Sequence, residues 1–217
     1  MGHPIKVDVW SDIACPFCYL GKRKFELAVA SSGLPVEVEF HSFELAPDAP
    51  ADITDSHAEY LSRKMGVPVA QAHNMEQQIA TLGQAVGLEF DHQRLKPANT
   101  GKAHELLHYA KAHGRQAEMK ERLMVAYFAE GRNVGRVAEL ADLAAELGFD
   151  RDDVIRSLEA GEYRSDVDAD VKTAGEYGIR GVPFFVFEDK YAVSGAQEPG
   201  TFAEVLAKVH SEKGQAA

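Results

Sequence analysis

Thiols are scarce in this chain: of 217 residues only Cys15 and Cys18 are cysteine. With no second pair, a four-thiolate zinc site is excluded. No run approaches the roughly 18 apolar residues that a membrane span needs. Positive charge is also short, 23 basic against 34 acidic side chains, for a formal net charge of -11. Such a chain is repelled by phosphate backbones and anionic bilayers, so neither nucleic acid nor membrane is an expected partner. No repeat and no low-complexity segment interrupts it. The start lacks a charged segment followed by a long apolar one, so no secretion signal is read and a cytoplasmic setting is expected. Met1-Gly2 resembles a myristoylation start, but Lys6 stands where that motif wants Ser or Thr.

What is present is ordinary globular material, 45% apolar and 26% charged. Residues 5–10 read as a strand, broken by Ser11-Asp12. Pro16 suits a first helical position, and Gly33 suits the end of that helix. Val36-Glu37-Val38-Glu39-Phe40 alternates with period two, as a half-buried strand does. This β–α–β order implies a parallel pair. From about Thr54 to Tyr177 the pattern is helical, punctuated by Gly87, Gly114, Gly131, Gly148 and Gly161. Strands return at Pro183–Phe187 and Tyr191–Val193 around a turn at Glu188-Asp189-Lys190. Pro199 opens a last helix, with fraying expected from Gly214. The expected division is residues 1–50 and 178–217 as two parts of one α/β core, with 51–177 as a helical insertion.

The two cysteines lie where a strand turns into a helix, the setting in which C-x-x-C reads as a redox site. Closing so short a loop is worth roughly 2 kcal/mol, little for a structural bridge. A thiolate at a helix N-terminus meets free N–H groups and the positive end of the dipole, which lowers its pKa. Cys15 is therefore the expected attacking sulfur, and Cys18, one turn further in, the resolving one. Pro16 stiffens the loop. Phe17 adds apolar surface but no charge, which predicts a less oxidising couple than a histidine there. Asp12 and His41 are the candidate proton-handling neighbours. No metal is expected.

Cys15-Pro16-Phe17-Cys18, the run Gly181-Val182-Pro183-Phe184-Phe185-Val186-Phe187 and the long helical block resemble the DsbA-like thioredoxin family, over essentially the whole chain. The match is best with its cytoplasmic FrnE-type branch, the polyketide-biosynthesis dithiol–disulfide isomerases. Val7–Asp12, Asn99-Thr100 before Ala103-His104, and Val193–Gln197 also fit. The resemblance implies a thioredoxin fold with a helical insertion, disulfide exchange with a thiol- or disulfide-bearing protein or small molecule, and no cofactor beyond the cysteines. It further implies a cis Val182–Pro183 bond beside Cys15 that presents Val182 to substrate. Glutathione-dependent isomerases and kappa-type transferases are similar in architecture and supply an alternative, with glutathione as co-substrate. They typically carry Ser where Cys15 stands.

His104-Glu105-Leu106-Leu107-His108 matches H-E-x-x-H on a helix. The extended metzincin pattern fails at Lys111 and Gly114. The expectation is an amphipathic helix whose His and Glu face water or line a groove. His57, His73, His92 and His113 read as surface or helix-face residues, and Asp166, Asp168 and Asp170 as a solvated face.

Overall fold

Ile5–Ser11 forms strand β1, and Val36–Ser42 forms β2, two residues longer than its alternation suggests. They pair in parallel, from Ile5 opposite Val36 to Ser11 opposite Ser42. Helix α1, Pro16–Ser32, makes the crossover, with Pro16 at its first position. Gly33 ends it at φ 63°, a left-handed angle that glycine adopts without strain. The structure is a computed structural model that describes residues 3–215, so readings on Met1, Gly2, Ala216 and Ala217 lie outside it.

Seven helices then follow: α2 (His57–Met65), α3 (Val69–Gln84), α4 (Gly101–Ala112), α5 (Gln116–Phe128), α6 (Val137–Glu146), α7 (Arg151–Ala160) and α8 (Arg164–Glu176). The hairpin β3 (Phe184–Phe187) and β4 (Tyr191–Ser194) and helix α9 (Pro199–Gln215) complete the described chain. Helix α9 runs on through Gly214, where fraying was expected. The sheet order is β2-β1-β3-β4, with β3 antiparallel to both neighbours. This is the expected α/β class, a thioredoxin fold carrying a helical insertion.

Period-two geometry sends Ile5, Val7 and Val9 to one sheet face. There they meet Phe25 of α1 and Phe202 of α9. Phe185 and Phe202 pack edge to face at 4.7 Å. Trp10 faces the other way, against Ala174, Ile179 and Val186. A larger core fills the space between α1 and helices α3–α7, with Leu20, Leu106, Met119, Leu123 and Leu140 buried in it.

Two devices fasten the helical block to the sheet. Strand β2 is an edge strand, and Gln116 of α5 stands in for a missing neighbour. Its Oε1 accepts from the Phe40 N–H at 3.0 Å, and its Nε2 donates to the Phe40 carbonyl at 2.8 Å. The second device is ionic: Lys22 and Arg23 of α1 both donate to Glu121 of α5. Among the described residues no helix is long and apolar enough to cross a membrane.

Candidate active site

Cys15 is the N-cap of α1, extended at φ -95° and ψ 113°, so its own carbonyl begins the helix. The Cys18 and Tyr19 amides donate to that carbonyl at 3.0 and 3.3 Å. The sulfur sits at the helix mouth, where unpaired N–H groups favour negative charge. Cys18, one turn along, faces inward and is 1% exposed. Both thiols are free.

Their electrostatics diverge. The Cys18 thiol, hydrogen-bonding to Cys15, pulls the Cys15 pKa down. Burial opposes this, while the Cys18 and Phe17 amides add to it. Burial pushes Cys18 well up, and a charge on Cys15 pushes it further. One sulfur is prepared to ionise, and the other is kept as a thiol.

Beneath them lies a group the sequence reading passed over. Lys120 of α5 is 0% exposed, and its Nζ has no hydrogen-bond partner. The ammonium stands 5.7 Å from the centre of the Phe40 ring. Burial brings its pKa down to about 8, against the fields of Cys18 and Asp12, which raise it. Its field in turn lowers the Cys18 pKa. A signal was there: Lys120 falls on the same helical face as Gln116, Leu123, Met124 and Tyr127, so a lysine interrupts a buried stripe.

Asp12 is buried at 2% exposure. Burial alone would raise its pKa. Contacts from His104 (Nε2 to Oδ1, 3.3 Å) and from the Leu45 amide (2.8 Å) outweigh that and hold it down. Its charge raises the Cys15 pKa. His41 lies elsewhere. Its ring stacks on Trp10 at 4.4 Å, and it donates to Asp170 and Asp8, each at 2.8 Å. Burial lowers its pKa, but the two carboxylates lift it to about 9. His41 thus belongs to a network on the sheet, and neither sulfur is among its partners.

The Val182–Pro183 peptide is cis. The Val182 carbonyl lies 3.8 Å from the Cys15 sulfur. Pro183 packs on α1 over Gly21, where a Cβ would fall 2.8 Å from the proline Cγ. A cavity of about 270 Å³ opens beside Cys15 on the other side, lined by Phe17, Leu45, Tyr60, Met75, Ile79 and Tyr127 among others. Helices α2 and α3 form its far wall, and Phe17 stands 49% exposed at the site.

Three readings of polar residues need correction. His104, Glu105 and His108 are buried, not facing water. The two histidines do not converge: His104 reaches Asp12, and His108 reaches Ser42 and Asp170. Asp170 leaves the solvated face of Asp166 and Asp168 and accepts from the Ser42 amide at 2.7 Å. His57 is buried and His92 half-buried, while His73 and His113 are exposed as expected. Single-residue reading missed these because a polar side chain on a helix shows no sign of its tertiary partner.

A model of the DSBA-like thioredoxin domain matches residues 6–207. The chain is similar to a probable DsbA oxidoreductase from Streptomyces coelicolor, at 36% identity over 96% of this chain and 91% of that one, with a TM-score of 0.89. It shares its fold with 2-hydroxychromene-2-carboxylate isomerase, at 17% identity over 98% and 99% of the two chains and a TM-score of 0.73. It shares it also with the cytosolic disulfide reductase DsbM from Pseudomonas aeruginosa, at 18% identity over 95% and 98% and a TM-score of 0.67. That reductase has also been solved with GSH.

Proposed function

The chain belongs to the DSBA-like thioredoxin domain family, and from that premise we propose that it exchanges disulfides through Cys15 and Cys18. The observation that carries the reading is the opposed ionisation of two sulfurs one turn apart at the mouth of α1. The Cys15 thiolate attacks one sulfur of a substrate disulfide. A Cys15–substrate disulfide forms, and the other substrate sulfur leaves as a thiolate. Cys18 then gives up its proton and attacks Cys15, which releases the second substrate thiol. The protein pair ends oxidised and the substrate reduced by two electrons; a substrate dithiol drives the same steps in reverse.

Lys120 supports the second half. Its ammonium, which hydrogen-bonds to neither sulfur, favours the attacking Cys18 thiolate through its field, and the Cys18 proton ends on the departing substrate sulfur. Asp12 acts through its field, restraining Cys15 rather than receiving its proton. His41 acts as a structural cation. Val182 offers its carbonyl, and Pro183 a rigid edge, to the substrate segment. Pro16 and Phe17 shape the opposite lip. The cysteine pair is the only redox group required.

Insulin reduction by the protein with dithiothreitol tests this, together with a trapped mixed disulfide. Wild type is expected to be active, Cys15→Ser inactive, and Cys18→Ser to accumulate the Cys15 adduct. An active Cys15→Ser variant would contradict the assignment.

A second reading is favoured by the cavity beside Cys15, near the size of a small-molecule site. Here the protein acts on a small aromatic or polyketide-like molecule with glutathione. The isomerase and the GSH-bearing reductase of like fold support it. It calls for tight glutathione binding to the reduced protein by calorimetry, without insulin reduction. The FrnE-type branch and a cytoplasmic setting complete our placement.

A further inference from the structure

Outside the cysteine pair, three side chains remote in sequence converge on the helical block. His57 begins α2, Glu76 lies in α3, and His92 sits in the turn after α3. One ligand atom from each lies within 4.8 Å of the other two. His57 Nδ1 is 2.7 Å from Glu76 Oε1, and both residues are buried. The other carboxylate oxygen accepts from His73 Nδ1 at 3.0 Å, an outer contact of the kind that orients a ligating carboxylate.

His92 is the telling member. Both its ring nitrogens are buried and lack any hydrogen-bond partner. Stacking fixes the ring instead, between His57 at 5.9 Å and Phe90 at 6.0 Å, with interplanar angles of 20° and 16°. The Asp91 amide pins the turn to the Phe128 carbonyl at 2.8 Å. No protein group among the described residues is bonded to either ring nitrogen, and His92 lines the cavity, so the ring is available as a ligand.

We propose that His57, Glu76 and His92 form a binding site for one divalent ion of the zinc class. Two imidazoles and one carboxylate are borderline donors that suit zinc over calcium or magnesium, which take oxygen sets. Ligands around tetrahedral zinc stand about 3.4 Å apart at bond lengths near 2.1 Å, so a small rotation of these side chains closes the set. Three protein ligands leave a fourth position open. All three residues also line the cavity that holds Cys15, so that position faces the ligand space. The other candidate cluster, Asp8, Glu39 and His41, differs in kind. Both His41 nitrogens already bond carboxylates, and Lys6 and Lys111 pair with Asp8 and Glu39.

The test is zinc titration by calorimetry of the Cys15→Ser/Cys18→Ser variant, whose sulfurs cannot compete. One zinc per chain is expected, with a dissociation constant in the micromolar range or tighter. Adding His92→Ala or Glu76→Gln should weaken it at least tenfold, and adding His41→Asn should leave it unchanged. Circular dichroism checks that each variant is folded. If one is not, cobalt(II) in the parent variant decides, its absorption reporting a tetrahedral or five-coordinate nitrogen and oxygen set. An octahedral aquo spectrum, no saturable binding below about 100 µM, binding retained without His92, or binding lost with His41 would each overturn the proposal.

Discussion

At the scale of the residue, a buried cation without a partner is expensive, and Lys120 is one. Replacing it with Met removes that cost, so Lys120→Met should raise the unfolding free energy by about 1–3 kcal/mol. The same change removes the field that lowers the Cys18 pKa. Resolution of a Cys15 mixed disulfide should then slow, by about three- to fourfold for each unit by which Cys18 rises, since the rarer thiolate is also the more nucleophilic. A more stable but slower variant is the expected outcome, read by urea unfolding and by stopped-flow release of a chromogenic thiol. A variant that loses stability while keeping its rate would show Lys120 to be structural.

His41 gives a second test at this scale. Its folded pKa of about 9 lies above the unfolded value near 6.5. Its stabilisation is thus fully present below about pH 6.5 and lost as pH rises through 9. Burial would raise Asp8 and Asp170, but His41 and Lys6 hold Asp8 low, and His108, His41 and the Ser42 amide hold Asp170 low, so their share is present above about pH 4 and lost in acid. Only the His41 contacts are counted from both ends. Wild type should lose up to about 3 kcal/mol between pH 6.5 and 9.5 by this route. His41→Asn should flatten that limb, and an unchanged slope would place the titration elsewhere.

Among the elements, Gln116 carries a sharp expectation. It satisfies an amide and a carbonyl of the edge strand at once. Gln116→Ala should cost about 2–4 kcal/mol by orphaning two buried backbone groups, and amide exchange at Phe40 should quicken most. Uniform acceleration across the protein would instead indicate global destabilisation. Gly21 is a second joint: Gly21→Ala must push Pro183 off α1 and should alter Cys15 reactivity more than stability.

The elements were readable from sequence for local reasons. Pro16 and Gly33 mark the ends of α1 because proline and glycine act on their own backbone. Period two betrayed β2, and 3/4 spacing the helices. The placement of the two cysteines was equally legible, because it needs only a spacing and a helix start. What escaped was tertiary. Gln116 and His92 owe their states to neighbours from other elements, which no local pattern records, whereas Lys120 left a trace as a lysine within the buried stripe of α5. His41 was misplaced as a neighbour of the cysteines for the same reason. It follows Trp10 across the parallel register, and its ring turns toward Asp170 instead.

For the whole molecule, charge dominates. A net charge of -11 repels anionic thiols at long range, and salt screens that repulsion. Exchange with glutathione, whose attacking thiolate carries -2, should therefore speed up more between 20 and 500 mM salt than exchange with 2-mercaptoethanol, whose thiolate carries -1. A glutathione rate that falls with salt would reveal local cationic capture and favour the glutathione-dependent reading.

The account turns on the state of one sulfur. The direct measurement is the pH dependence of Cys15 alkylation in the reduced protein, read at that residue by mass spectrometry. The account predicts a half-point clearly below the free-thiol value of about 8.5, with Cys18 unreacted across the range. A half-point at or above 8.5, or equal alkylation of both cysteines, would contradict it.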